Sequence, residues 1–309
     1  MKKVRFILIF LLLMACRLGS KFTPSPTPFP PETQPPTSTV PDPTTPVIGI
    51  LPIFPENSAP CPEFKNGWVA FSPDSLPSRQ VYLWVGDKGG GPLVFFWHGA
   101  GGSAENARVG LGPLVIEEIT AQGGVVASIE ADPALSFGEW YLNTTDKLDD
   151  LQVADMVVAC AVKVKNIDIN RIHVAGFSAG GKQAAQMAIR RSNYVASVVL
   201  YSGGLFPLQL NPYPPYQNLG NKFASMVFWG GPSDVVLTDN VIAARDYATF
   251  VSANGNPVIM CDHNLGHTIP PEGQASAWRF FQDHPWGVSP EPWSSALPVD
   301  IPAYCSWFK

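Results

Sequence analysis

The chain has 309 residues, of which 46% are hydrophobic, enough to build a sizeable core in one large domain or two small ones. Its formal charge at pH 7 is -5, only 15% of its residues are charged, and no basic stretch follows the first few positions, so we expect no nucleic-acid partner. The five cysteines form no CxxC pair and lie beside no histidine cluster at metal-ligand spacing. The sequence therefore predicts no zinc or iron-sulfur site, and no metal or other cofactor.

Residues 1–15 are organised like a secretory signal peptide. A positively charged start, KKVR, precedes an apolar stretch at 6–14 that is too short to span a bilayer as a stable anchor. The segment LMAC at 13–16 resembles the bacterial lipobox, which implies cleavage before Cys16 and acylation of that cysteine. The alternative is an ordinary secretory signal with an incidental cysteine. We expect a lipoprotein anchored to a membrane of the bacterial cell envelope, outside the cytoplasm.

The segment that follows, residues 22–60, is rich in Pro, Thr and Ser and has almost no charge and few bulky apolar residues. Such a composition cannot bury enough surface to fold. Because proline favours the extended polyproline II conformation, residues 16–60 are predicted to be a semi-rigid tether behind the lipidated cysteine. A binding role for this stretch is the less simple alternative. The folded domain is predicted to occupy residues 61–309.

In that domain, apolar runs of strand length alternate with longer stretches of helical periodicity. The strand-like runs are 68–71, 80–85, 93–97, 125–129, 172–177, 196–201, 226–229 and 258–261. The helix-like stretches are 105–122, 149–164, 180–191, 240–254 and 272–282. This alternation predicts an α/β fold in which a mostly parallel central sheet is covered by helices on both faces, with the first strands free to pair antiparallel.

The strongest motif is the pentapeptide at 176–180, GFSAG, which lies between an apolar strand and a helix-forming stretch. G-x-S-x-G in this context is typical of a nucleophile elbow, a turn so tight that the serine adopts strained backbone angles. Glycine on each side removes the Cβ clashes, and the N-terminus of the following helix favours developing negative charge. Ser178 is therefore the candidate nucleophile. The simpler alternative is a small-residue turn without chemistry.

A second motif overlaps the first one. Residues 176–182 also match the start of a phosphate-binding loop, G-x-x-x-x-G-K, which ends here at Lys182. The next residue is Gln183, whereas that loop needs Ser or Thr to hold magnesium. An NTPase would also have little use for a lipid anchor outside the cytoplasm. We therefore favour the nucleophile elbow.

The strand at 93–97 runs into a glycine-rich segment, HGAGG, at 98–102. A loop of this kind supplies one backbone N–H of an oxyanion hole, and the residue after the nucleophile supplies the other. We expect the first donor to be Ala100 or Gly101 and the second to be Ala179. His98 is interpreted as a structural residue that shapes the loop.

An acid and then a base should follow the nucleophile, each after a later strand. Asp234 comes directly after a strand and the turn GPS, where the acid is needed, whereas Asp239 is better explained as a helix N-cap or first-turn residue. Asp262 adjoins the final strand and is too near the base in sequence.

The predicted base is His267, in a loop before the last helix. His263 is its rival and lies nearer the strand, where a hydrogen-bonded structural role is the simpler interpretation. His173 lies inside a strand and His284 follows the last helix, so neither reaches the elbow easily.

Taken in order, HGAGG, GFSAGG, GPSD and NLGHTIP resemble the α/β-hydrolase superfamily over residues 92–282. Within it, the chain is similar to secreted esterases related to polyhydroxyalkanoate depolymerases, feruloyl esterases and acetylxylan esterases. The resemblance implies hydrolysis of a carboxylic ester through an acyl-enzyme, with Ser178, Asp234 and His267 as the triad. The alternatives are a serine peptidase or acyltransferase on the same fold, or a catalytically silent lipoprotein that binds a partner or polymer.

Four cysteines remain outside the cytoplasm, which is an even number. We predict a disulfide between Cys61 and Cys305, because domain termini are often close in space and the tail beyond the last helix must be held. Cys160 and Cys261 either pair with each other or stay buried as small apolar residues.

The segment 205–222 has neither helical nor strand periodicity, so it is predicted to be a long loop on the same side as the nucleophile. Phe206, Tyr213 and Tyr216, together with Trp140 from an earlier loop, are the predicted substrate contacts. The alternative is that these aromatic residues pack their loop against the domain. An aromatic cleft predicts a preference for short-acyl or aromatic esters, free or linked to polysaccharide, over long-chain esters.

Overall fold

The computed structural model describes residues 51–135, 140–142, 147–205 and 213–309. The predicted signal peptide, Cys16 and most of the predicted tether lie outside these residues, as does Phe206. Among the described residues, no helix is both long enough and apolar enough to span a membrane.

The described part of the chain forms one nine-stranded sheet. Its strands are β1 (Gly67–Phe71), β2 (Arg79–Val85), β3 (Leu93–Trp97), β4 (Val125–Ile129), β5 (Ile172–Phe177), β6 (Ser197–Tyr201), β7 (Ala224–Trp229), β10 (Val258–Asp262) and β11 (Cys305–Trp307), and a separate hairpin contains β8 (Val235–Val236) and β9 (Thr238–Asp239). The order in the sheet is β1-β2-β4-β3-β5-β6-β7-β10-β11. Within this sheet, as far as the structure describes it, antiparallel pairing is confined to β1 with β2, β2 with β4, and β10 with β11. The centre of the sheet is therefore parallel, as predicted.

Six helices cover the sheet in the described residues: α1 (Ala107–Gly110), α2 (Pro113–Ala121), α3 (Asp149–Lys165), α4 (Ala179–Arg190), α5 (Asn240–Ala253) and α6 (Gly273–Asp283). One apolar core contains side chains from α3, α4 and α5, and a second contains side chains from α1, α2 and α6. All five residues of β3 are buried, and they alternate between the two cores because successive strand residues point to opposite faces. The sheet is thus covered on both faces.

Several short elements differ from the sequence prediction, among them the strands β8, β9 and β11. The single helix expected over 105–122 is a short 3-10 turn followed by α1 and α2. Pro113 is the first residue of α2, and proline cannot continue a helix from the preceding turn because it lacks an N–H. Strand β11 was not predicted, because three residues at a sheet edge carry too little pattern to be recognised.

The predicted disulfide between Cys61 and Cys305 is wrong. Cys61 is bonded to Cys160 of α3, and Cys261 of β10 is bonded to Cys305 of β11. The reason is strand pairing: β11 returns antiparallel to β10 with Cys305 directly opposite Cys261, whereas Cys61 precedes β1 at the other edge of the sheet. The two ends of the domain therefore lie at opposite edges.

Candidate active site

Four loops meet at the carboxyl end of the sheet, after β3, β5, β7 and β10. These strands belong to one continuous parallel set in the order β3-β5-β6-β7-β10. Because the carboxyl ends of parallel strands share an edge, residues on the four loops converge there. The predicted nucleophile, acid, base and oxyanion loop each lie on one of them.

Ser178 forms a tight turn between β5 and α4, with φ 58° and ψ -121°. A positive φ is strained for a residue with a side chain. A Cβ on Gly176 would approach the carbonyl oxygen of Gly180 to 2.1 Å, and one on Gly180 would approach the carbonyl oxygen of Trp97 to 2.0 Å. Only glycine fits at both positions, which explains why the serine can be presented on so sharp a turn.

Two hydrogen bonds join the predicted nucleophile, base and acid. His267 Nε2 lies 2.9 Å from Ser178 Oγ, and His267 Nδ1 lies 2.7 Å from Asp234 Oδ1. An ionised carboxylate can only accept, so we assign the ring proton to Nδ1, which leaves the Nε2 lone pair facing the serine hydroxyl. This geometry allows the serine proton to move to the imidazole.

Asp234 is fully buried at the inner end of this line. Its Oδ2 accepts the backbone N–H of Gly230 at 2.9 Å. Burial raises the pKa of Asp234, but the hydrogen bonds from His267, Gly230 and Ser202, together with the charge interaction with His267, outweigh burial, so the pKa lies below its ordinary value. The side chain is therefore a carboxylate at neutral pH, the form that can hold an imidazole in one tautomer.

The loops of the acid and the base are packed directly on each other. A Cβ on Gly230 would lie 1.9 Å from the carbonyl oxygen of Gly266, and the Gly266 N–H donates to the Gly230 carbonyl at 2.9 Å. This close approach brings His267, the next residue, to Asp234. Gly266 lies directly before the predicted base in the sequence, but its contact with Gly230 joins two distant loops and could not be predicted from that position alone.

Asn240 is a site residue that the sequence analysis missed. It begins α5 and is 1% exposed, and its Nδ2 lies 3.2 Å from Asp234 Oδ1. The sequence marked it only as the start of a helix, and nothing local distinguishes it from other residues after an N-cap.

The glycine-rich loop after β3 lies against the nucleophile. A Cβ on Gly99 would be 3.3 Å from the Cβ of Ser178. Among the described residues, the hydrogen bonds that shape this loop use the N–H groups of the residues at 102–104 rather than those of Ala100 and Gly101. The N–H of Ala179 has no acceptor within α4, because the first N–H groups of a helix lack an intrahelical partner. Backbone N–H groups without an acceptor are the kind of donor that an oxyanion hole requires.

The remaining polar candidates have structural contacts. His98 is fully buried and its Nδ1 donates to the Gly99 carbonyl at 2.8 Å, and burial lowers the pKa of His98. Burial likewise lowers the pKa of His263, whose Nδ1 accepts a backbone N–H two residues further on. Asp239 caps α5, as predicted, by accepting two backbone N–H groups. Within the described ranges, no group of three or more His, Cys, Asp or Glu is placed to hold a metal ion.

Trp140 lies beneath the oxyanion loop rather than at an open cleft. It is 4% exposed, its indole N–H donates to the His98 carbonyl at 2.9 Å, and its ring meets that of Trp97 edge-on at 4.9 Å. Trp140 was predicted to contact the substrate. In the structure it is buried and contacts the loop instead.

Tyr213 and Tyr216 pack away from the site, which corrects the prediction that they overhang it. Both rings contact Phe250, which lies ten residues beyond the start of α5, or about 15 Å along a helix with a 1.5 Å rise. The Tyr216 hydroxyl donates to Asn256 at 3.2 Å, just before β10 begins. Tyr213 and Tyr216 thus follow the alternative interpretation, in which the aromatic residues of this segment pack against the domain.

Comparison with known proteins gives matches among solved structures. No protein-family model and no curated protein matches the chain. Native pOPH is 19% identical, with 82% of this chain and 96% of that chain covered and a TM-score of 0.62. Native sOPH is 18% identical, with coverages of 83% and 96% and a TM-score of 0.60.

A third similar structure is the hyperthermophilic esterase from the archaeon Pyrobaculum calidifontis, 18% identical over 72% of this chain and 85% of that chain, with a TM-score of 0.50. At sequence identities this low, the structural similarity is evidence for the fold alone. Together with the strand order and the serine turn after β5, these structural matches show that this chain has the α/β-hydrolase fold, as the sequence predicted.

Proposed function

We propose that this protein is a serine hydrolase that cleaves carboxylic esters through an acyl-enzyme on Ser178. The observation that carries the proposal is the pair of hydrogen bonds from Ser178 Oγ through His267 to the buried Asp234. The similar protein from Pyrobaculum calidifontis is named as an esterase, which supports the same chemistry here.

The reaction follows from the geometry. Ser178 Oγ attacks the ester carbonyl while His267 Nε2 takes its proton, and the N–H groups of Ala179 and of Ala100 or Gly101 bind the tetrahedral oxyanion. His267 then returns the proton to the leaving alkoxide, and the alcohol departs. Water attacks the acyl-enzyme with His267 again as base, which releases the carboxylic acid and restores the serine. Asp234 stays ionised throughout and stabilises the imidazolium.

Within this class, we propose short-acyl or aromatic esters, free or attached to polysaccharide, as the preferred substrates. Phe177 supports this choice: it is half-buried and its ring lies 4.9 Å from that of His267, where a flat apolar surface suits a small acyl or phenolic group. The measurement is relative kcat/KM on acetyl, butyryl, feruloyl and palmitoyl esters. Highest efficiency on the palmitoyl ester would contradict this preference.

We also propose that the enzyme is held at a membrane outside the cytoplasm by acyl chains on Cys16, on the strength of the LMAC segment and the Pro-rich stretch behind it. Cys16→Ser should lose lipid labelling and leave the membrane fraction. Retention of that variant in the membrane, unchanged, would contradict the anchor.

The test of the reaction is Ser178→Ala, which should lower kcat/KM for a butyryl ester by at least about 10³-fold while leaving the fold intact. Its matched control is Ser252→Ala, on the exposed side of α5, which should keep wild-type activity. A fluorophosphonate probe should label the wild type and the control but not Ser178→Ala. Labelling of Ser178→Ala at the wild-type level would overturn the proposal, and an assay with amides and added alcohols distinguishes a peptidase or acyltransferase.

A further inference from the structure

Asn240 lies against both the predicted acid and the predicted base. Its Nδ2 is 3.2 Å from Asp234 Oδ1 and 3.2 Å from His267 Nδ1, and its backbone N–H donates to the Asp234 carbonyl at 3.1 Å. We propose that Asn240 is a positioning residue: its carboxamide fixes the carboxylate oxygen that holds His267 and so keeps Nε2 directed at Ser178. This inference rests on the proposed function.

The direction of each hydrogen bond can be assigned. His267 Nδ1 donates to Asp234, so it cannot also accept from Asn240, and the Asn240 Nδ2 group therefore donates to Asp234 Oδ1. Oδ1 then receives two donors side by side, one from the imidazole and one from the amide. The amide lies against the edge of the ring and limits its rotation.

Two further residues determine which way the Asn240 amide faces. Lys182 Nζ, on the nucleophile helix, donates to Thr238 Oγ1. Because an ammonium group can only donate, the threonine oxygen accepts, and its own hydrogen is directed to Asn240 Oδ1, 3.4 Å away. With its oxygen held by Thr238, Asn240 presents its NH2 group to Asp234. A chain of donors thus runs from α4, through the β8–β9 hairpin, to the acid.

A change at Asn240 acts on an acid and a base that also have titratable neighbours. The titratable groups on the elements around Asp234 and His267 include Lys182 on α4, Asp239 at the start of α5, Asp262 and His263 at the end of β10, and Glu272 before α6. Asn240 differs from these groups because it is uncharged, and its side chain contacts both Asp234 and the ring of His267.

The experiment uses three variants of the full chain. Asn240→Leu keeps the size but removes the donor, and should lower kcat about 10- to 100-fold with KM within twofold, as expected for a base displaced by a fraction of an ångström. Asn240→Asp keeps the shape but places a second carboxylate beside the ring, and should move the acidic limb of the kcat/KM profile about one pH unit higher. Thr238→Val frees the amide to turn, and should lower kcat about threefold to tenfold.

Asn221→Leu is the matched control. Asn221 is also a buried asparagine, 7% exposed, but its Nδ2 donates to backbone carbonyls of residues 192 and 195 at the amino end of the sheet. It should lose stability and keep the wild-type kcat and pH profile. An activity-independent measurement is the proton resonance of His267 Nδ1–H, which should shift in Asn240→Leu and stay in place in Asn221→Leu.

Wild-type kcat in Asn240→Leu and Thr238→Val, with an unmoved acidic limb in Asn240→Asp, would overturn the inference. If Asn240→Leu does not fold, Thr238→Val on the partly exposed hairpin and the isosteric Asn240→Asp decide it. The proposed function fails separately, when Ser178→Ala retains full hydrolysis. Hydrolysis that depends on Ser178 but is indifferent to Asn240 defeats the positioning role alone.

Discussion

Trp140 lies in one loop, and Tyr213 and Tyr216 lie in another. Both loops begin at the carboxyl end of the sheet, yet Trp140 and the two tyrosines lie at opposite ends of it. Trp140 contacts the glycine-rich loop after β3, whereas the tyrosines pack where β7 and β10 begin. The difference lies in how each connection returns to the amino end, as a crossover between parallel strands must. After β4 the helix α3 makes the return, so Trp140 stays near the site. After β6, residues 213–222 make the return themselves and take the tyrosines with them.

Among the changes that distinguish these two loops, the largest effect is expected at Trp140. Trp140→Ala should lower kcat about 100-fold and the free energy of unfolding by about 3–5 kcal/mol, since it removes both the support of the loop and a buried ring. Trp140→Phe keeps the ring but removes the donor to the His98 carbonyl, and should lower kcat about tenfold at a smaller cost in stability. The measurements are ester kinetics and urea unfolding. Wild-type kcat in both variants would show that the loop is positioned without the indole.

A smaller effect, on stability alone, is expected at the tyrosines. Tyr213→Ala and Tyr216→Ala should each lower the free energy of unfolding by about 2 kcal/mol, because half-buried rings are lost from the packing against Phe250. The value of kcat/KM should remain within twofold of wild type. Tyr216→Phe, which loses only the hydrogen bond to Asn256, should cost about 1 kcal/mol. A tenfold fall in kcat/KM at unchanged stability would mean that this loop reaches the substrate.

The smallest effect is a pH-dependent loss of stability, and it is expected only for a change at the carboxyl end of the sheet, where Asp234 lies. The pKa of Asp234 is lowered in the folded protein, so the carboxylate contributes stability above the ordinary aspartate pKa of about 3.9, and this contribution is lost as the pH falls through the lower folded value. Asp234→Asn should therefore be less stable than wild type by about 1 kcal/mol at pH 7, with the gap closing below about pH 4. Urea unfolding at pH 7, 4 and 3 measures this gap. If the difference in stability between the two proteins did not change with pH, the ionised carboxylate of Asp234 would not be its cause.

The sequence predicted best what is local in the chain. Ser178 could be placed because its turn requires glycine at fixed neighbouring positions, and β3 to β7 could be placed because buried parallel strands are continuous apolar runs. What it could not predict depends on contacts between distant segments. The partner of Cys305 depends on β11 pairing with β10, and the role of Asn240 depends on His267 and, through Thr238, on Lys182. Composition cannot show which part of a crossover stays near the site, which is why the tyrosines were misplaced.

The disulfide between Cys261 and Cys305 makes the segment between them a closed covalent ring, with a sequence separation of 44 residues. His267 and the whole of α6 lie inside this ring. A single protease cut in the exposed stretch at 287–290 would therefore release no fragment: His267 would stay joined to β10 through the chain, and the segment after the cut would stay joined to β10 through the disulfide. In the unfolded chain the same ring restricts how far the base can move from its strand, which reduces the entropy that refolding of this segment must overcome.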